Sequence, residues 1–175
     1  MITRDHELGA VVRLLRAHGG DRTYYHRIVG TNSRLDAIQA AVLDVKLKYL
    51  DAWNLRRRER AACYDGLFED VSEVVTPKEA PGNSHVYHQY VIRLPWRDDA
   101  KMLFARKKIG CAVFYPIPLH RQQCFQHLGY AEEDFPAASR ACKEALALPM
   151  YAELTPEQQS EVAAAVKEHL TTQGV

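Results

Sequence analysis

Apolar residues recur at helical spacing in two early stretches. From Asp5 to about Ala17, Leu8, Val11, Val12 and Leu15 fall on one helical face, and Gly19-Gly20 supplies a left-handed stop. After an irregular segment, DRTYYHRIVGTN, the residues Leu35, Ile38, Val42, Val45, Tyr49 and Trp53 return at spacings of three and four. Ser33 and Asp36 form an S-x-x-D pair at its start, so the pattern predicts a helix from Arg34 to Tyr64. That is roughly 30 residues or ~45 Å, a length suited to bridging two bodies or packing in an oligomer. Upstream of all this, Met1-Ile2-Thr3 reads as the end of a strand begun earlier.

The period changes after the punctuation TPKEAPGNS. In HVYHQYVIRL, Val86, His88, Tyr90 and Ile92 alternate with Tyr87, Gln89, Val91 and Arg93, which predicts a strand. Asp98 then caps a helix running to Gly110, and CAVFY, 111–115, is a second strand. Pro116 and Pro118 break the sheet and deliver a short helix ending at Gly129. Pro136 opens a helix through Leu146, and Thr155, Pro156 and Gln158 form a capping box for a last helix carrying Val162, Val166 and Leu170. The fold class is α+β: a long bridging helix, then a small domain of helices on a short sheet. The expected division is 1–64 and 65–175.

The 175 residues, 47% hydrophobic and 26% charged with a net charge of +1, describe a soluble globular chain with no electrostatic case for nucleic acid or an anionic membrane. No stretch of about 18 apolar residues is present. Four scattered cysteines without a C-x-x-C pair, and histidines without zinc spacing, give no metal site and point to free thiols in a reducing cytoplasm. Arg56-Arg57-Arg58 reads as a solvated helical face, and His88 as a core histidine.

Asn32 and Arg34 crowd the expected helix start. Unpaired backbone N–H groups and about half a positive charge gather there, so the two side chains either cap and solvate the helix or complete an anion site. In the second domain, two prolines fix the loop Tyr115-Pro116-Ile117-Pro118-Leu119-His120. Tyr115 and His120 either face a substrate, as hydrogen-bonding groups for hydroxyls or a diphosphate, or end a core strand and start a helix.

The run GTNSRLDAIQAAVLDVKLKYLDAWNLRRR, together with HVYHQYVIR, IGCAVFYPIPLH and LALPMYAELTPEQ, resembles the DegT/StrS nucleotide-sugar aminotransferases over essentially the whole chain and in the right order. The resemblance implies the type I aspartate-aminotransferase fold and pyridoxal phosphate, with this chain matching the C-terminal part. Residues 1–64 then correspond to a remnant of the large domain plus the bridging helix, and 65–175 to the small domain. Asn32, with Arg34 beside it, would hold the cofactor phosphate in a site shared across a dimer, and the loop Tyr24 to His26, with Tyr25 and His26 as its substrate-facing groups, would border it. Tyr115 and His120 match the family's substrate-facing loop. None of the lysines, at positions 46, 48, 78, 101, 107, 108, 143 and 167, lies in the family's cofactor-bearing context, so no catalytic residue is assigned.

What the resemblance implies is therefore part of an enzyme that moves an amino group from glutamate to a nucleotide-linked keto-deoxysugar, inactive by itself. Its partners would be further copies, or a separate N-terminal half carrying the lysine, and the nucleotide-sugar substrate. A non-catalytic interaction or nucleotide-sugar-binding module derived from that family is the alternative. Apolar faces at Leu8, Val11, Leu15, Ile38, Val42 and Val45 would stay uncovered and promote self-association.

Overall fold

The computed structural model describes residues 2–22 and 24–174. The chain divides into two compact units, Met1–Tyr49 and Leu50–Val175. Met1 lies outside the described residues, and Ile2 and Thr3 belong to no strand.

In the first unit, α1 (His6–Leu15) starts at Asp5, whose carboxylate accepts from the Glu7 and Leu8 amides at 2.9 and 3.0 Å. It ends as the glycine pair predicts: Gly19, at φ 76°, donates to the Leu14 carbonyl. A short hairpin follows, β1 (Gly20–Arg22) antiparallel to β2 (Tyr25–His26). The chain then turns back along the end of α1. Thr31 N donates to Leu15 O at 2.8 Å, His18 N to Thr31 O at 2.9 Å and Ser33 N to Arg16 O at 3.0 Å, while Ala17 and Asn32 form an isolated bridge. Glycine is obligatory here: a Cβ on Gly19 would sit 1.8 Å from Ile28 O, and one on Gly30 would sit 2.2 Å from Gly19 N.

The helix expected over 34–64 is two helices. α2 (Ala37–Leu47) begins after Asp36, whose amide donates to the Gln39 side chain at 3.4 Å, so Ser33 is not its cap. Its end is tightened by Tyr49 N donating to Lys46 O at 3.0 Å, and α3 (Leu50–Leu67) opens the second unit. Neither α1 nor α2 has a buried residue; Ile38 is 81% exposed.

The second unit holds the core. β3 (Tyr90–Arg93) pairs antiparallel with β4 (Ala145–Leu148), in the register Tyr90 with Leu148 and Arg93 with Ala145. Single bridges flank them, Val75 with Arg93 and Ala112 with Ala147. The predicted strand at 111–115 is thus one bridge. The predicted helix through Leu146 stops at Glu144, as α5 (Pro136–Glu144), and hands its last apolar residues to β4. β3 starts four residues later than the alternation suggests, because Tyr87 is buried in a left-handed conformation with φ 45°. α4 (Arg97–Arg106) is capped by left-handed Trp96, which leaves Asp98 in the first turn, still well placed for the helix dipole.

α6 (Pro156–Thr172) opens on the expected capping box: Gln158 N donates to Thr155 Oγ1 at 3.3 Å and Thr155 N to Gln158 Oε1 at 3.0 Å. Tyr64, Tyr90, Ile92, Phe104, Leu146 and Val166 are fully enclosed among the helices and the sheet. The Tyr64 and Tyr90 rings stack with centroids 5.0 Å apart, and Tyr90 Oη donates to Asp65 Oδ1 at 2.6 Å. Burial first, then the bond to Asp65, pushes the Tyr90 phenol far above its ordinary range.

Of the arginine run only Arg56 is exposed as a solvated face would be, whereas Arg57 and Arg58 are engaged. Arg57 Nε donates to Val86 O at 3.2 Å, and one Arg58 nitrogen reaches Glu79, Ser84 and the His85 carbonyl at 3.2, 3.2 and 2.9 Å. These two side chains fasten the 79–86 loop to α3. Among the described residues no helix is long and apolar enough to cross a membrane.

Candidate functional site

A cleft of about 910 Å³ opens in the first unit, where the hairpin, the end of α1 and the returning 28–34 segment meet. Its lining includes His18, Arg22, Tyr24, His26, Gly30 and Arg34. The backbone crossing described above puts them there, since Gly30 can approach Gly19 only without a side chain.

Asn32 and Arg34 meet directly: Arg34 Nε donates to Asn32 Oδ1 at 3.0 Å. A guanidinium can only donate, so the amide oxygen faces it and both Asn32 N–H donors are left for another acceptor. The remaining Arg34 donors are equally uncommitted in the described contacts, and Arg34 is exposed at the cleft. Two amide hydrogens and a fixed cation fit an anion such as a phosphate. The helix start does not contribute as the sequence suggests. α2 begins at Ala37, whereas Asn32 lies in the extended bridge to Ala17. One carboxylate, Asp21, also lines the cleft and pairs with Arg27 at 3.4 Å.

His26 lines the same cleft, with its Nδ1 2.9 Å from the His18 carbonyl oxygen. Tyr25, 70% exposed, is not among the lining residues, whereas its neighbour Tyr24, left-handed at φ 67°, is. Tyr24 belongs to the loop that the resemblance sets beside the site, whereas His18 and Arg22 are contributors that neither periodicity nor resemblance flags. The signal for those two is the Gly19/Gly30 pair that forces the crossing.

Tyr115 and His120 belong to the second unit, each with an aromatic neighbour of its own. Tyr115 is exposed, with its ring edge-on to Phe114 at 5.8 Å, so it ends no core strand. His120 sits in a 3₁₀ turn, Leu119–Arg121, its ring 4.8 Å from Phe135 and its Nε2 buried without a hydrogen-bond partner among the described residues. His88 is not a core histidine: it is exposed and lines a separate cavity of about 570 Å³ with Lys108, Cys111, Leu154 and Gln158.

Comparison with known proteins places these features in context. The profile of the DegT/DnrJ/EryC1/StrS aminotransferase family matches residues 1–167. The chain is 48% identical over 170 residues to the "Pleiotropic regulatory protein" of Geobacillus stearothermophilus, spanning 96% of this chain and 46% of that protein. It is 39% identical over 176 residues to the dTDP-3-amino-3,4,6-trideoxy-alpha-D-glucose transaminase of Micromonospora megalomicea subsp. nigra, spanning 98% of this chain and 47% of the relative. The crystal structure of S. venezuelae DesV in complex with a ketimine intermediate superimposes with a TM-score of 0.84 at 34% identity, covering 95% of this chain and 45% of that one. The chain thus spans about half the length of the curated relatives it matches.

Proposed function

The chain belongs to the DegT/DnrJ/EryC1/StrS aminotransferase family, and from that premise we propose that it is the C-terminal portion of an enzyme transferring an amino group from glutamate to a nucleotide-linked keto-deoxysugar. The observation that carries this reading is the Asn32–Arg34 pair at the first-unit cleft, which has donors to spare and, among the described residues, no acid bonded to it. Those donors would hold the phosphate of pyridoxal phosphate for a site completed by a partner chain, which supplies the cofactor-bearing lysine. When bound, the cofactor supplies the electron sink that amino transfer requires.

The remaining residues have humbler tasks in this reading. Tyr25 and His26 border the cofactor region, Tyr115 offers an exposed phenol to the nucleotide sugar, and His120, braced on Phe135, holds the loop that presents it. Arg22 adds a second cation to the cleft and strengthens its preference for anions.

The reading is tested by supplying the missing portion. The chain is co-expressed with the complementary N-terminal half of the Geobacillus relative, and glutamate-dependent amination of a dTDP-linked 3-keto sugar is assayed. The expected result is turnover that falls about a hundredfold in an Asn32→Ala, Arg34→Ala double variant, for two charge-assisted contacts at ~1.5 kcal/mol each. A stable complex whose activity ignores both substitutions would refute the assignment.

A further inference from the structure

His26 is chemically asymmetric. Its Nδ1 lies 2.9 Å from the His18 carbonyl oxygen, and a carbonyl can only accept, so Nδ1 carries the proton. In the neutral ring Nε2 is then a bare lone pair, with no hydrogen bond to any described residue, on a side chain that is exposed and lines the cleft.

The backbone imposes this state. His18 is left-handed, at φ 60°, and its amide is held by Thr31 O at 2.9 Å, which anchors the residue whose carbonyl meets His26. Gly20 leaves room for the imidazole: a Cβ there would come within 3.1 Å of His26 Nδ1 and 2.7 Å of Tyr25 O. The contact that selects the tautomer is formed where the hairpin crosses the end of α1.

The consequence is selective. A lone pair cannot bond a phosphate oxygen, which brings no hydrogen, and the cleft already has Arg22 and Arg34 for anions. What Nε2 can take is an O–H or N–H donor. We propose that His26 Nε2 is a dedicated hydrogen-bond acceptor for a hydroxyl of the nucleotide-linked sugar, and that the His18 carbonyl is its positioning group. This rests on the aminotransferase reading of the cleft and divides the labour within it: arginines and Asn32 for the anion, His26 for the sugar. Such a site discriminates strongly, because a ligand without the hydroxyl leaves the acceptor unpaired.

The test reads the ring directly. Long-range ¹H–¹⁵N correlation spectra of the full chain at about pH 8, where an ordinary imidazole is neutral, report which nitrogen is protonated. The expected pattern for His26 is Nδ1–H, and an Nε2–H pattern overturns the proposal. Adding dTDP-glucose is expected to move the His26 Nε2 resonance, whereas dTDP is not; an Nε2 resonance indifferent to dTDP-glucose also overturns it. His26→Asn keeps an N–H near the place of Nδ1, and so the bond to His18, but has no Nε2. It is expected to bind dTDP-glucose about tenfold more weakly with dTDP affinity unchanged, the loss of one hydrogen bond. Equal sugar affinity in the variant refutes the assignment. The phosphate reading fails separately, when pyridoxal phosphate leaves the Asn32 amide unmoved.

Discussion

Adding one methyl group at Gly30 should dismantle the cleft, whereas adding the same group at Gly66 should strengthen the chain. In Gly30→Ala the new Cβ would lie 2.2 Å from Gly19 N, and 2.6 Å from both His18 C and Leu15 O, all well short of ordinary contact, which begins at 3.4 Å. All three obstacles are main-chain atoms, which no rotamer change can move. Relief requires the 28–33 segment to leave α1 and sacrifices the Thr31–Leu15, His18–Thr31 and Ser33–Arg16 hydrogen bonds. At about 1 kcal/mol net for each bond, the closed state loses about 3 kcal/mol, or about a hundredfold in population. In Gly66→Ala nothing lies within 4 Å of the added Cβ and the residue is helical, so the gain is about 0.5–1 kcal/mol. Amide hydrogen exchange resolves the two units. Gly30→Ala should abolish protection at His18, Thr31 and Ser33 while β3 and β4 stay protected, and Gly66→Ala should raise the urea midpoint of the second unit. Undiminished protection at His18 and Thr31 in Gly30→Ala would refute the claim that main-chain crowding shapes the cleft.

Three further outcomes follow from the same geometry. Tyr90→Phe removes a 2.6 Å bond to a carboxylate and should cost about 1.5–3 kcal/mol in urea unfolding; a loss under about 0.5 kcal/mol would contradict the contact. The hydrogen bond from Arg58, foremost among the causes, holds the Glu79 carboxyl below its ordinary 4.5, so its contribution is complete above that pH and disappears as pH falls through the lowered value. Exchange at the 79–86 loop should therefore speed up below pH 4.5, and Arg58→Ala should remove that pH dependence; an unchanged profile in the variant would exclude the clamp. With Leu8, Val11, Ile38 and Val42 exposed on helices that bury nothing, sedimentation should show mass increasing with concentration, and a clean monomer throughout would count against it.

Much of this fold could be read from local sequence wherever one face alone is buried or a cap is written in side chains. Asp5, Gly19, Gly129 and the Thr155–Gln158 box end or begin elements where expected, and the alternation of Tyr90 and Ile92 marks β3. What escaped notice depends on distant partners. Ala145–Leu148 consists of good helix formers and becomes a strand because all four residues are buried between β3 and the Ala112 bridge. The break after Leu47 has no proline or glycine to announce it. The sequence sets Asn32 at a helix end, whereas its position comes from the Ala17 bridge. The partnership of Arg34 with Asn32 and the contact of His26 with the His18 carbonyl emerge only when the chain crosses itself.

The central claim is that Asn32 and Arg34 grip the phosphate of the coenzyme. It is most directly tested by titrating the ¹⁵N-labelled chain with pyridoxal phosphate and, separately, with pyridoxal, while following the Asn32 side-chain amide pair and Arg34 Nε. The account predicts that both signals shift with the phosphorylated compound and stay still with pyridoxal. Signals that ignore pyridoxal phosphate, or respond equally to both compounds, would contradict it.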